Sequence, residues 1–109
     1  MSILTRKLEL EALTRTGDGL GGYDGDWMPL GVHWGAIQAG RGRLETGDGH
    51  ARTRASYRIT IRAVPPTSPS RPIAGQRFRE GTRVYLIRAV ADAPDARHLL
   101  CYVDEEAAS

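Results

Sequence analysis

Covalent and aromatic anchors are scarce in this 109-residue chain, which holds one cysteine, two tryptophans, four tyrosines and one phenylalanine. The single Cys101 excludes an internal disulfide. With histidines only at 33, 50 and 98, it also lacks the ligand spacing of a four-coordinate zinc site. No apolar run approaches the ~20 residues that cross a bilayer. The opening MSILTRKLEL is broken by Arg6, Lys7 and Glu9 before a signal-peptide core forms. A chain this short buries roughly two-thirds of its unfolded surface, enough for one thin core and too little for a large cleft between lobes. The expectation is a single domain over 1–109 (core about 4–105), soluble, made in the cytoplasm, without metal or cofactor, and not an enzyme.

The net charge of +2 conceals a segregation. Residues 1–50 carry five basic against seven acidic groups, net −2. Residues 51–91 carry nine arginines against Glu80 alone, net +8. Residues 92–109 carry Arg97 against five acids, net −4. A basic middle between acidic ends suits nucleic acid, an acidic partner or a head-to-tail contact between identical subunits. The bland alternative is that ends and middle pair within the fold. Arginine outnumbers lysine fourteen to one. Its planar, bidentate contacts suit interfaces, although GC-rich coding produces the same bias.

Periodicity indicates strands. In Arg6–Leu13, Leu8, Leu10 and Ala12 alternate with Lys7, Glu9 and Glu11. Thr16–Asp26 holds five glycines and three aspartates and is expected to be a flexible hairpin tip. A second strand is expected over Trp27–Gln38, with Val32, Trp34 and Ala36 on one face and Pro29 confining its start to an edge or bend. Gly40–Gly49 is polar and glycine-rich and is expected to be a long mobile loop. In Arg54–Val64, Tyr57, Ile59, Ile61 and Ala63 point inward. The prolines between 65 and 72 mark an extended connection. Short strands follow at Gln76–Arg79, Thr82–Ala91 and His98–Asp104, the second expected to be covered on both faces. The fold class is therefore all-β, a small barrel or sandwich of five to six strands with long flexible loops at about 16–26 and 39–53.

The candidate chemical motifs are weak. GDGLGGYDGD holds one imperfect copy of a glycine–aspartate calcium repeat, a site that needs stacked copies. Its glycines precede neither Gly-Lys-Ser/Thr nor a helix. His33, between Val32 and Trp34, fits a satisfied structural histidine, and Ser56 has no His and Asp at motif spacing. Cys101 fits a small hydrophobe in an apolar strand. The arginines are more informative. Arg54, Arg58 and Arg62 share one strand face at ~13 Å intervals, and the parity extends to Arg52. Such a row meets phosphates, or faces Glu9 and Glu11 on a neighbouring strand or subunit. Protein contact is favoured because stacking aromatics are not interleaved with it.

The order of features resembles a known family. A first strand leads to Gly21-Gly22-Tyr23, Trp27 and the strand with Trp34-Gly-Ala-Ile37. A loose loop carries Arg41, Arg43 and Glu45, followed by Tyr57-Arg-Ile-Thr-Ile-Arg62 and a linker. The chain then runs through Gly81-Thr-Arg-Val-Tyr-Leu-Ile-Arg-Ala-Val90 to Leu99-Leu-Cys-Tyr102. Over roughly residues 4–105 this resembles the head-tail joining, or head-closure (stopper), proteins of long-tailed bacteriophages and gene transfer agents. The resemblance implies a homo-oligomeric ring in the particle neck, between an upstream portal–adaptor ring and a downstream tail terminator or tail-tube protein. There it would close the channel on packaged double-stranded DNA, with no membrane involved. Arg41, Arg43, His50 and Arg52 are the candidates for a DNA-facing loop. Tyr23, Trp27, Arg54, Arg58, Arg62, Glu9 and Glu11 are the candidates for contacts between subunits or rings. A stand-alone nucleic-acid-binding barrel and an enzyme-accessory or inhibitor domain are the rival classes.

Overall fold

The computed structural model describes residues 3–17, 23–40, 43–47 and 50–106, with side chains described for 3–14, 25–40 and 55–106. Seven strands follow in order: β1 Arg6–Gly17, β2 Tyr23–Ala39, β3 Arg43–Gly47, β4 His50–Arg62, β5 Arg77–Glu80, β6 Arg83–Asp92 and β7 His98–Glu105. All pairings are antiparallel, in the order β2-β1-β5-β6-β7-β4-β3. A further pairing of β2 with β4, Gly35↔Ile61 to Ala39↔Tyr57, closes the sheet into a circuit of six strands. β3 lies outside that circuit, paired to β4 alone. Closure removes most of the exposed edges that an open six-stranded sheet would present.

The interior follows the expected alternation except at Ala63, which lies past the end of β4 and is exposed. Leu8 and Leu10 of β1, Ile59 and Ile61 of β4, Phe78 of β5, Tyr85 and Ile87 of β6, and Leu99, Cys101 and Val103 of β7 are fully or almost fully buried. Two irregularities bend the wall. In the β1–β2 pair, Leu10 faces Gly31 and Glu11 faces Pro29, so Leu30 is an extra residue on β2. Pro29 donates no backbone hydrogen bond, which suits it to such a bulge. In the β6–β7 pair the register shifts between Ile87 and Ala89, leaving Arg88 as the extra residue.

On β2, Val32, Trp34 and Ala36 share one face as expected, and it is the outer one. The interior is filled by His33 and Gly35, with Ile37 packed against the core. A β-carbon at Gly35 would stand 2.9 Å from Leu8 Cδ1 and 3.1 Å from the Thr60 carbonyl oxygen. This is where β2 leaves β1 to join β4. His33 is a structural residue: its Nε2 lies 2.7 Å from the Ser70 carbonyl oxygen, and its ring meets Phe78 edge-on. The proline-rich connection thus packs over His33, with Pro72 fully buried.

The glycine-rich segments carry more strand than their composition implies. β1 continues to Gly17 opposite Tyr23, and β3 pairs with the first half of β4 from Arg43↔Arg54 to Gly47↔His50. On β6, Tyr85 and Ile87 are the inward residues. Val84 and Leu86 on the outer face are half-buried, so the strand is only partly covered on that side.

Candidate interaction site

Much of the charge segregation resolves inside the fold. β5 lies beside β1, so Arg77 Nε donates to Glu11 at 2.8 Å and Arg79 Nη2 to Glu9 at 2.9 Å. Arg79 also approaches Glu11 at 3.6 Å. Arg71 pairs with Asp92, Arg83 with Glu105 and Arg88 with Asp104. The bland reading therefore holds for a large part of the +8 segment. It also corrects one expectation: β1 and β4 are not neighbours, so within one chain the arginine row on β4 does not meet Glu9 and Glu11.

One mouth of the barrel is closed by charge. Arg6, Glu80, Arg83 and Glu105 continue the inward parity of Leu8, Phe78, Tyr85 and Val103. Arg6 holds Glu80 in a fork, Nε to Oε2 at 2.6 Å and Nη2 to Oε1 at 2.5 Å. Arg83 holds Glu105 in a second fork at 2.7 and 3.1 Å. Those arginine hydrogen bonds hold the Glu80 and Glu105 carboxyls below the usual range. Beneath them Tyr57 and Tyr85 meet edge-on at 5.7 Å, and the Tyr85 hydroxyl is buried without a hydrogen-bond partner among the described residues.

Trp27, a candidate contact residue, is occupied within the chain: the Arg77 guanidinium carbon lies 4.0 Å from its ring centre. Tyr23 stands in β2 opposite Gly17, and Arg54 in β4 opposite Arg43. Of the candidate DNA-facing residues, Arg43 is on β3, and His50 and Arg52 are on β4 opposite Gly47 and Glu45. Arg41 lies outside the described residues. The β3–β4 hairpin thus brings Arg43, His50, Arg52 and Arg54 onto one ribbon.

Arg58 and Arg62 stand exposed on the outer wall of β4. Arg58 Nη2 donates to Gln38 Oε1. Around them lie residues that sequence reasoning did not single out for function. A cleft of about 400 Å³ is bordered by Arg58, Arg88, Tyr102, Ser56 and Asp104, with Ser56 Oγ donating to Asp104 at 2.8 Å. A second, of about 330 Å³, joins Arg62 to Val32 and Trp34. The signal was present in β2 and β7, whose apolar residues occupy both faces where an outward face needs none. None of this resembles catalytic machinery. Burial pushes the Cys101 thiol up to about 12, leaving it a packing residue, and no metal-ligand cluster occurs among the described residues. No helix among them is long and apolar enough to cross a membrane.

Comparison with known proteins agrees with this architecture. The phage head completion protein family matches residues 1–107. A chain in the solved virion of a native gene transfer agent particle is 35% identical and superposes with a TM-score of 0.84, covering 100% of both chains. No curated protein matches in sequence. A full-length family match joined to a full-length structural match leaves one assignment: the chain belongs to the phage head completion protein family.

Proposed function

We propose that this protein is a structural component of the neck of a phage or gene transfer agent particle. It assembles as a ring between the portal–adaptor complex and the tail, closes the DNA channel after packaging and presents a docking surface to the tail. The observation that carries this reading is the match over both whole chains to a protein of a gene transfer agent virion. The closed circuit of strands supports it, together with two ribbons, β1–β2 beyond Glu11 and β3–β4 before Ala55, that pair only within themselves. A ring subunit works by shape and charge, and added subunit contacts stabilise a thin core by mass action.

The DNA-facing element is the β3–β4 hairpin, which carries Arg43, His50 and Arg52, with Arg41 two residues before it in the sequence. Arginines there meet phosphate without reading sequence. Deleting Arg41–Gly49 in particle-producing cells tests the assignment by the DNA left inside purified particles after nuclease treatment. The expected result is assembled heads that have lost their DNA. Retention equal to the wild type would remove the hairpin from the channel.

A further inference from the structure

The outer wall of β2, β4 and β7 is unlike an ordinary solvated sheet face. Antiparallel sheets with one face on the core usually turn polar residues outward, yet here Val32, Trp34 and Tyr102 are 49%, 54% and 42% exposed. Tyr102 is directly opposite Arg58 across β7 and β4, and Gln38 is opposite Arg58 across β2 and β4. Arg62 lies about 13 Å further along β4, in the cleft with Val32 and Trp34. Neither Arg58 nor Arg62 has an acidic partner among the described residues, in contrast to Arg71, Arg77, Arg79, Arg83 and Arg88. Tryptophan, tyrosine and arginine are the side chains most often dominant in protein interfaces.

The β1–β2 ribbon supplies the complement. β1 pairs with β5 only through Glu9–Glu11, so beyond Glu11 the ribbon is paired along one side only. A two-stranded ribbon alone is marginally stable in water and gains from lying on another surface. It exposes Met28 on the face that carries Asp26, and Leu13 on the opposite face. Beyond Glu11 its two strands carry Asp24 and Asp26 against Arg15. Asp26 is exposed, with no cationic partner among the described residues. Both surfaces share strand β2. Asp26 and Trp34 are eight residues apart on it, about 26 Å when extended, so the ribbon cannot fold back onto the wall of its own chain.

We propose that the β1–β2 ribbon of one copy lies on the β2–β4–β7 wall of the next. Its Asp26 meets the Arg58–Arg62 row, and Met28 on the same face covers Trp34. The contact rests on the ring reading above and specifies which surfaces meet. It joins two different patches, so it propagates head to tail and closes into a ring when the rotation permits.

Cysteine cross-linking in assembled particles tests the contact. A chain carrying Asp26→Cys and Arg62→Cys is expected to give a ladder of multimers on non-reducing gels after mild oxidation, while each single variant gives none. Multiple copies per particle without a ladder would overturn the contact and leave the ring reading standing. A cross-link to a different protein alone would overturn it in favour of a foreign acidic partner. A chain absent from particles would overturn the ring reading and the contact with it. Charge exchange provides the second arm. Arg58→Glu with Arg62→Glu is expected to lower incorporation at least about tenfold through like-charge contact. Adding Asp24→Arg and Asp26→Arg to the same chain is expected to restore it. A folded Arg58→Glu/Arg62→Glu chain that incorporates normally, or one that the exchange fails to rescue, would refute the pairing.

Discussion

Arg77 sits over Trp27, its guanidinium carbon 4.0 Å from the ring centre, while its Nε donates to the buried carboxylate of Glu11 at 2.8 Å. One side chain from β5 thus fastens β1 and the start of β2, at the root of the β1–β2 ribbon. Arginine suits the position because its planar head covers the ring and donates at once.

Removing that arginine leaves the buried Glu11 carboxylate with only the longer, 3.6 Å approach of Arg79. Arg77→Ala is expected to destabilise the fold by about 3 kcal/mol, the usual cost of breaking a buried ion pair from one side. Denaturant unfolding measures the loss, and a shift of tryptophan emission reports the uncovering of Trp27. Arg77→Lys, which keeps the charge and loses the planar head, is expected to fall between the two.

Gly35→Ala tests the crossing of β2 from β1 to β4. The added methyl would meet Leu8 Cδ1, the Thr60 carbonyl oxygen and Ile59 Cγ2 at 2.9 to 3.2 Å. Overpacking of this kind costs about 1–3 kcal/mol, seen as a lower denaturation midpoint. An unchanged midpoint would mean that the crossing is looser than these distances imply.

The charged mouth predicts an acid dependence. Glu80 and Glu105 have lowered folded values, so their contribution is complete above the unfolded carboxylate value of about 4.3. It is lost as the pH falls from there through the folded values. Urea midpoints between pH 7 and 3 are expected to drop in that window. Arg6→Gln and Arg83→Gln should flatten the drop, and high salt should reduce it, because both arginines are partly exposed. A flat profile for the wild type would contradict the paired arrangement.

Cys101 is fully buried and its thiol is raised to about 12. In the native protein at pH 8 it is expected to resist alkylation for hours, then react stoichiometrically in denaturant. Mass spectrometry distinguishes the two. Rapid native labelling would show that the β4–β7 wall opens locally.

The circuit of six strands was legible because each carries a period-2 apolar pattern, clearest at Ile59 and Ile61 and at Leu99, Cys101 and Val103. The β3 strand was not. Arg43–Gly47 has no apolar face, and its strand character comes from backbone pairing with β4. The outward position of Trp34 was equally hidden. Hydrophobicity alone sends tryptophan inward, but the tight approach at Gly35 and the Ser70 partner of His33 set the opposite parity. Nor does composition reveal that Arg77 and Arg79 answer Glu11 and Glu9, since that depends on β5 lying beside β1 at sequence separations of 66 and 70. The arginine row on β4 was readable as a row. Its aromatic setting, Trp34 and Tyr102, arises only when β2, β4 and β7 come together.

β7, the last of the described strands, is inserted between β4 and β6. A nascent polypeptide therefore cannot seal its wall until residues near Glu105 have left the ribosome. Up to that moment Ile59 and Ile61 lack their partners Cys101 and Leu99, and the half-made sheet offers a sticky seam to chaperones and to other emerging copies.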